Sequence, residues 1–410
     1  MKHLELHIIQ SVPVACLNRD DLNSPKTAIF GGVQRARVSS QSWKREIRKM
    51  AKEISPDQFK GKRTRRMVFV LAKRFVEKEM HESCAVAIAE HIAGIVETLD
   101  TKKPDEDGYQ KIKTLMFFSD AEYEAIVENI ISAQDVIDSL DELESELTSL
   151  AAAKEAKDKD AKKVAEEAKA KVFKSMKTLS KARIAKMIKS AQLMDAADIA
   201  LFGRMVANDH SLSVEAASMF SHALSTHKAD NEIDFFAAVD DVQTAAESGA
   251  GMTSTLEFNS AAYYRFAALN LDMLSDKDHL KNMSQEERRS VVRTFLDATV
   301  KAIPSARKNT MNGNTTPVYV LGIVRDKGHP IQLVNAFERP VRSSINGFAS
   351  DSVKRMNREY ADTKETWGID AQFVKAVIKN SLKEDITESL GSIETCSLNE
   401  LIDGMVQHVI

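Results

Sequence analysis

The order of strand-like and helical segments is the feature that most limits what this chain can fold into. Residues 3–12 alternate between apolar and polar side chains, a period of two that predicts a half-buried strand at the start of the chain. Helical patterns then run over about residues 65–201, and strand-like segments return at 263–272 and 316–324. A sheet that begins, gives way to helices and then resumes predicts an α+β fold whose core domain is discontinuous in sequence.

Length and local composition predict several units. A chain of 410 residues with 43% hydrophobic residues is long enough for two or three domains. Residues 151–172 are Ala, Lys, Glu or Asp at all but two positions, which predicts a solvated helical arm to which we attach no function. Residues 228–258 have short apolar runs on either side of a Ser-Gly-Ala-Gly segment, a pattern typical of an extended hairpin.

Positive charge is concentrated near the start of the chain. Residues 26–74 hold fifteen Lys or Arg and three acids, a net charge of +12 in a chain whose total is −3. Because neutralising phosphates releases condensed counterions and so adds affinity, this concentration predicts a polyanion site. The alternative is a solvated charged face without a partner. The hydroxyl and amide groups of the adjoining SSQS segment, residues 39–42, are also phosphate donors and favour the first interpretation.

A helix is predicted just after the basic strand-like segment VQRARVSS. Apolar side chains recur at Trp43, Ile47, Met50 and Ile54, and basic side chains occupy the adjoining face. The cap that starts this helix is expected to be one of the serines at positions 40 and 42. The pattern therefore predicts a helix that packs through one face and offers positive charge on another.

Five blocks of sequence, which together span most of the chain, resemble one protein family in the same order. The first is LNRDDLNSPKTAIFGGVQRARVSSQSWKREIRK at 17–49. The others are IALFGRM at 199–205, FSHALSTHKADNEIDFFAAVDD at 220–241, EFNSAAYYRFAALNLD at 257–272 and QLVNAFERPV at 332–341. On these blocks the chain resembles the CasC family, the guide-RNA-binding backbone subunit of type I-E CRISPR Cascade complexes.

The resemblance implies a hand-shaped subunit that polymerises along the CRISPR guide RNA. Each thumb displaces one nucleotide at a regular interval, so that short runs of bases can pair with target DNA. The implied partners are the guide RNA, the target DNA paired to it, neighbouring copies of the chain, and the large, small and end subunits of Cascade. The implied domains are a ferredoxin-like or RRM-like palm (1–64, 201–227 and 259–348), a helical finger domain (65–200), a thumb hairpin (228–258) and a mainly helical C-terminal segment (349–410).

The resemblance also assigns RNA contacts residue by residue. Met205 is expected to pack near the kinked nucleotide, and Phe235 and Phe236 are expected to wedge the displaced base, at positions where the family more commonly has Trp-Phe. Core packing is the alternative for these two aromatic residues. The residues expected at RNA phosphates are Lys26, Ser39, Gln41, Lys44, Arg45 and Arg48, with Arg19 and Lys49 as neighbours, and with Arg307 and Lys308 where the family has basic residues in a different order.

The sequence predicts a protein without catalytic activity. Nucleotide-hydrolysis, metalloprotease and acyl-transfer motifs are absent from it. The ten histidines are scattered and the three cysteines form no CxxC arrangement, so no metal or cofactor is expected. His3 and His7 share one face of the first strand and are expected to face solvent or to take part in polar packing.

One alternative makes the chain a metal-dependent RNA endonuclease. Backbone subunits of type III CRISPR complexes cleave target RNA with an acidic residue, and Asp20 or Asp21 could hold a metal ion beside a scissile phosphate. The opposing interpretation is that these residues organise a turn through hydrogen bonds between side chain and backbone.

The compartment is expected to be the cytoplasm. The N-terminal residues lack the apolar stretch of a signal peptide, and no window of the sequence is apolar enough to span a membrane. The low cysteine content agrees with a reducing environment.

Overall fold

The computed structural model describes most of the chain. The polar stretch at 151–172, except residues 167 and 170, and the Ser-Gly-Ala-Gly segment at 248–251 lie outside the described residues. The described residues are 1–100, 104–139, 143–145, 147, 167, 170, 179–238, 241, 252–304, 306–307 and 309–410.

The chain forms two compact units. The first unit holds Met1–Ser55, Ala217–Ser275 and Ser284–Ile410. The second unit holds Pro56–Ala216 and Asp276–Met283. The core domain is thus discontinuous, as the order of the segments predicts.

A ten-stranded, mostly antiparallel sheet is the framework of the first unit. Its order is β12-β11-β10-β1-β9-β7-β3-β2, with β6 and β8 also paired to β9, and only β11 and β12 run parallel among these described strands. The remaining strands, β4 and β5, pair with each other in the second unit. The strands are β1 (His3–Ala15), β2 (Thr27–Phe30), β3 (Val33–Val38), β4 (Lys62–Thr64), β5 (Met116–Phe118), β6 (Ser218–Phe220), β7 (Ala223–Ser225), β8 (Glu232–Ala238), β9 (Met252–Asn270), β10 (Tyr319–Arg325), β11 (Phe373–Ile378) and β12 (Glu394–Thr395).

Helices connect and cover these strands. The α-helices of the described residues are α1 (Ser40–Ile54), α2 (Met67–Glu77), α3 (Glu82–Val96), α4 (Asp120–Ile131), α5 (Lys181–Ser190), α6 (Ala197–Phe202), α7 (Leu271–Leu274), α8 (Gln285–Lys301), α9 (Gly347–Trp367), α10 (Lys383–Leu390) and α11 (Leu398–Val406). Short 3-10 helices lie at His210–Leu212, Val334–Phe337 and Asn380–Leu382. Over the part of the chain that the structure describes, no helix is both long and apolar enough to cross a membrane.

Helices lie on both faces of the large sheet. On one face, Trp43 and Ile47 of α1 line a small cavity together with Ile8 of β1. On the same face α11 packs so closely that a Cβ atom on Gly322 would lie 2.7 Å from the sulfur of Met405. On the opposite face, α9 joins a core of aromatic and aliphatic side chains from β9 and β10. The first unit is therefore an α/β/α arrangement with β1 near its centre.

Strand β1 is buried on both faces, so the prediction of a half-buried strand is wrong. Glu5, His3 and His7 are all fully buried, and His3 Nε2 and His7 Nε2 lie 3.1 and 3.3 Å from the Glu5 carboxylate oxygens. Burial raises the pKa of Glu5, but the hydrogen bonds with the two histidines outweigh it and bring that pKa to about 2. Polar packing is thus the environment of both histidines, because α9 covers the face that alternation assigns to solvent.

The second unit is mainly helical and has a charged pair in its centre. Arg204 and Glu122 are both buried, with the guanidinium Nη1 at 2.7 and 2.9 Å from the two carboxylate oxygens. The same Nη1 donates to the carbonyl of Phe117 at 3.1 Å. Burial raises the pKa of Glu122, against the effect of the Arg204 charge. The pair is surrounded by hydrogen-bond partners, as a buried ion pair requires.

The boundaries of the units differ from those expected. Residues 56–64 and 201–216, expected in the palm, belong to the second unit. Strand β4 pairs with β5 there, and Val206 and Leu212 join the helical core. The C-terminal segment 349–410 is not a separate helical unit either, because β11 and β12 extend the large sheet.

Candidate nucleic-acid interface

Helix α1 starts at a serine cap one residue earlier than expected. Ser39, rather than Ser40 or Ser42, is the N-cap, and its Oγ accepts a hydrogen bond from the Ser42 N–H at 3.4 Å. The Ser39 N–H itself donates to Asn18 Oδ1 at 3.0 Å. Within α1, which is described in full, the first turn holds no acidic residue. The positive end of the helix dipole is therefore not compensated by a side chain of that turn, which suits an anion.

The apolar face of α1 packs onto the sheet, close to the prediction. Trp43 and Ile47 are buried as expected, but Ala51 completes the buried face and Ile54 is 46% exposed. The guanidinium carbon of Arg265 lies 3.8 Å from the Trp43 ring centroid, and burial lowers the pKa of Arg265 to about 9. This packing fixes the rotation of α1 about its axis.

That rotation sorts the polar residues of α1 into two rows. Gln41, Lys44 and Arg48 follow one another at steps of three and four and so share one row. Arg45 and Lys49, four residues apart, form the neighbouring row and are exposed. Five of the residues predicted to meet phosphates or to adjoin that site are thereby aligned along one helix.

The two rows differ in their surroundings. Lys44 is half-buried, with its Nζ 5.6 Å from the ring centroid of Phe220 on β6. Arg45 has a 78% exposed side chain and pairs with Glu46 at 2.9 Å. An exposed ion pair of this kind contributes little to stability, so Arg45 can exchange Glu46 for another anion at little cost.

The loop between β1 and β2 is organised by Asp20. Its Oδ1 accepts hydrogen bonds from the backbone N–H groups of Leu22 and Ser24, each at 2.9 Å. Arg307 Nη2 donates to the carbonyl of Asn23 at 3.1 Å and so braces the same loop. Asp20 therefore has the turn-forming role that the second interpretation gave it. Arg19 is exposed in this loop.

Two residues beside Lys26 were missed by the sequence analysis. Arg37 donates its backbone N–H to the carbonyl of Lys26 at 2.8 Å, and its Nη1 lies 3.5 Å from His222 Nδ1. Burial of part of the ring, followed by the charges of Arg37 and Lys26, lowers the pKa of His222. A signal existed for Arg37, because it lies two residues from Arg35 on a predicted strand. For His222 the sequence contains no motif that would indicate a binding role.

Much of the basic segment 26–74 is either buried or paired with acids within the protein. Arg35 is fully buried, and its guanidinium donates to backbone carbonyls of Phe30, Ser225 and Phe337. In the second unit, basic residues pair with acids at distances of 2.5 to 2.9 Å: Lys62–Asp120, Arg65–Asp100, Arg66–Asp105 and Arg74–Glu124. These acids lie after residue 74 in the sequence and are therefore not counted in the net charge of the segment. That net charge overstates the positive charge that is available to bind a polyanion.

The hairpin of β8 and the first part of β9 turns its two aromatic residues to opposite faces. Consecutive residues of a strand point to opposite sides, so Phe235 and Phe236 cannot both contact one base. Phe235 is 66% exposed. Phe236 is half-buried and shares its face with Leu256 and Phe258. The two adjacent residues are therefore not equivalent.

The base of this hairpin is tied to the loop that carries Lys26. Asn231 Nδ2 donates to the carbonyl of Pro25 at 3.3 Å and to Glu257 Oε2 at 3.1 Å. Asn259 Nδ2 donates to Asn231 Oδ1 at 3.3 Å. The first unit thus brings together the loop, the start of α1 and the hairpin.

Two predicted residues are not among the first-unit residues described above. Met205, in the second unit, is 76% exposed. Lys308 lies outside the described residues. Among the residues that the structure does describe, no group of three or more His, Cys, Asp or Glu is arranged to hold a metal ion.

Comparison with known proteins identifies the family. The family model of CT1975-like proteins (Cas_CT1975) matches residues 4–404. The chain belongs to this family. The CT1975-like chain is also similar to a chain of a "CRISPR RNA-guided surveillance complex, pre-nicking", with 27% sequence identity and a TM-score of 0.74 over 100% of both chains. A chain of a "CRISPR RNA-guided surveillance complex" is 25% identical, with a TM-score of 0.66 over 99% of both chains. No curated protein matches it.

These matches confirm the resemblance to the backbone subunits of Cascade. The family match covers nearly the whole CT1975-like chain, including all five blocks on which the resemblance rests. The predicted α+β class is confirmed by a mixed fold with a large, mostly antiparallel sheet.

Proposed function

We propose that this CT1975-like protein is the non-catalytic, guide-RNA-binding backbone subunit of a Cascade-type surveillance complex. The observation that carries the proposal is the similarity, at a TM-score of 0.74, to a chain of an RNA-guided surveillance complex over 100% of both chains. Because both chains are covered from end to end, the likeness is not limited to one shared domain.

The first unit acts as the palm and holds the phosphates of the guide. Lys26, Lys44 and Arg48 provide charge, and the start of α1 provides backbone N–H groups. Gln41 is exposed and adds an amide donor beside them, while Ser39, which is 7% exposed, contributes by capping the helix. Contacts to the backbone leave the base edges available for target DNA, and base pairing then provides sequence recognition.

The hairpin of β8 and β9 acts as the thumb and displaces one nucleotide per subunit. Its described residues include the acids Asp230, Glu232 and Asp234, which make a poor phosphate cradle. Phe235 offers an exposed aromatic face that can stack on or wedge a base. Repetition along a filament of copies presents the guide in short segments, and the other Cascade subunits complete the particle.

For Asp20, one of the two candidate metal ligands, the hydrogen bonds support a turn-forming role over a metal-binding one. Its Oδ1 accepts two backbone N–H groups of its own loop. A carboxylate used in this way shapes a turn, and moving it to a metal would cost those bonds.

The salt dependence of RNA binding tests the phosphate assignment. Replacing Lys44 and Arg48 by Ala should weaken binding of a single-stranded RNA and reduce the slope of log K against log salt by about 0.7 for each phosphate that the variant no longer neutralises. Alanine favours helix, so α1 should persist, and circular dichroism checks this.

A matched control removes the same charge elsewhere in the first unit. Lys327 and Lys383 are exposed and lie outside the proposed interface, so their replacement by Ala should leave the slope unchanged. Equal slopes in wild type, test variant and control would show that Lys44 and Arg48 do not meet phosphates.

A further inference from the structure

A cluster of three cationic or titratable side chains lies where β3, the loop before β2 and the end of β6 meet. Arg37 Nη1 is 3.5 Å from His222 Nδ1, and the Arg37 backbone N–H donates to the Lys26 carbonyl at 2.8 Å. The Arg37 Nε donates to the carbonyl of Thr27 at 3.1 Å, which fixes the guanidinium beside the loop. His222 is exposed. The cluster is therefore held in place by the backbone but open to a ligand.

The charges that face His222 are positive. Arg37 faces it from β3 and Lys26 from the loop. Phe220 precedes His222 by two residues, and the Nζ of Lys44 on α1 lies over the Phe220 ring. The charges of Arg37 and Lys26 disfavour a protonated His222, and the negative charge of a bound phosphate would offset them.

We propose that His222 and Arg37, together with Lys26, form a phosphate-binding subsite of the RNA interface and that His222 takes up a proton when an RNA phosphate binds. This inference rests on the proposed function and adds two residues to it. The ligand is a phosphodiester of single-stranded RNA. The neutral imidazole accepts at Nδ1 from Arg37, so the other ring nitrogen, Nε2, donates its N–H to a phosphate oxygen. The proton taken up on binding comes from solvent and goes to Nδ1, and the Arg37 N–H that Nδ1 had accepted then donates to the phosphate.

The direction of the pH dependence follows from the surroundings of the ring. Without RNA, partial burial and the charges of Arg37 and Lys26 lower the pKa of His222, so the ring is neutral at neutral pH. A bound phosphate reverses the sign of the local charge and raises this pKa. Binding therefore consumes a proton between the two pKa values, and RNA affinity falls as the pH rises through that interval.

Equilibrium binding of a uridine-only RNA to the full chain between about pH 5.5 and 8 tests this inference, since histidine is the side chain that ordinarily titrates there. The affinity of wild type should fall with pH, by up to about tenfold for each unit of difference between the two pKa values. Calorimetry at about pH 7 in two buffers of different ionisation enthalpy should show uptake of up to about one proton per bound subunit.

Two substitutions of His222 give opposite, pH-independent outcomes. His222→Gln should bind at the weaker, high-pH level at all pH values, and His222→Lys should bind at the stronger, low-pH level. His329→Gln, at an exposed turn of the same unit, should keep the wild-type profile. A flat wild-type profile, or His222→Gln with the full wild-type slope, would overturn the inference while leaving the proposed function intact. Failure of wild type to bind RNA at any pH would overturn both.

Discussion

At the scale of single residues, burial separates the side chains that hold the fold from those that can meet a ligand. Arg35 and Arg37 lie two residues apart on β3, yet Arg35 is fully buried among carbonyls and Arg37 reaches towards His222. Phe235 and Phe236 divide in the same way on β8. In each pair the residue types alone do not reveal which member is buried and which stays open to a ligand.

The pair Phe235 and Phe236 allows a direct test of this division. Phe235→Ala removes little buried area, so it should change the free energy of unfolding by less than about 0.5 kcal/mol. It should weaken RNA-dependent assembly, because stacking on a base contributes about 1–3 kcal/mol. Phe236→Ala should instead cost about 1–2 kcal/mol of stability, since Phe236 is half-buried and its truncation removes buried apolar area.

Urea unfolding of the RNA-free chain and an assembly assay on guide RNA measure the two effects separately. Each variant is the control for the other, since both remove one phenyl group from the same strand. Loss of stability in Phe235→Ala with normal assembly would place this residue in the core and remove it from the thumb.

At the scale of elements, the turn between β2 and β3 shows how closely the first unit is packed. Phe30 pairs with Val33, which leaves Gly31 and Gly32 as a two-residue loop in which both have positive φ, 59° and 75°. This is the conformation of a type I′ turn, and it favours glycine at both positions. A Cβ on Gly31 would lie 1.6 Å from the carbonyl oxygen of Glu338, whereas a Cβ on Gly32 would have nothing within 4 Å.

Alanine at these two positions should therefore have unequal costs. Gly32→Ala has only the strain of positive φ and should destabilise the protein by about 1–2 kcal/mol. Gly31→Ala adds a collision with backbone and should cost about 3 kcal/mol or more, or prevent folding. The measurement is the urea midpoint of both variants. Equal midpoints would contradict the packing of this turn against the segment that holds Glu338.

Sequence patterns predicted the secondary-structure elements better than they predicted which residues each element contacts. The amphipathic period placed α1 correctly because Trp43 and Ile47 are local signals. The helix cap lies one residue before the predicted position. Neighbouring serines offer the same hydroxyl group, and it is Ser39 that has the extended backbone conformation of an N-cap. The pairing of Arg66 with Asp105, or the approach of Arg37 to His222, joins residues far apart in sequence. Such contacts depend on the tertiary fold, and no periodic pattern in the sequence indicates them.

At the scale of the whole molecule, the chain carries a net charge of −3, and its positive charge is concentrated in residues 26–74. Acids of the second unit neutralise Lys62, Arg65, Arg66 and Arg74, while Lys26, Lys44 and Arg48 belong to the first unit with the start of α1. Charge of this kind, segregated along the chain, suits a subunit that holds one polyanion along a fixed path.

The nucleic acid that copurifies with the protein tests the central claim most directly. The full chain is produced with a CRISPR array and the remaining subunits of its complex, purified, and stripped of nucleic acid, which is then digested separately with RNase and DNase and sized. The account predicts RNA of one defined length that contains the guide sequence, and its absence from the Lys44→Ala, Arg48→Ala variant. A complex that assembles without RNA, or that carries only fragments of random length and sequence, would contradict the account.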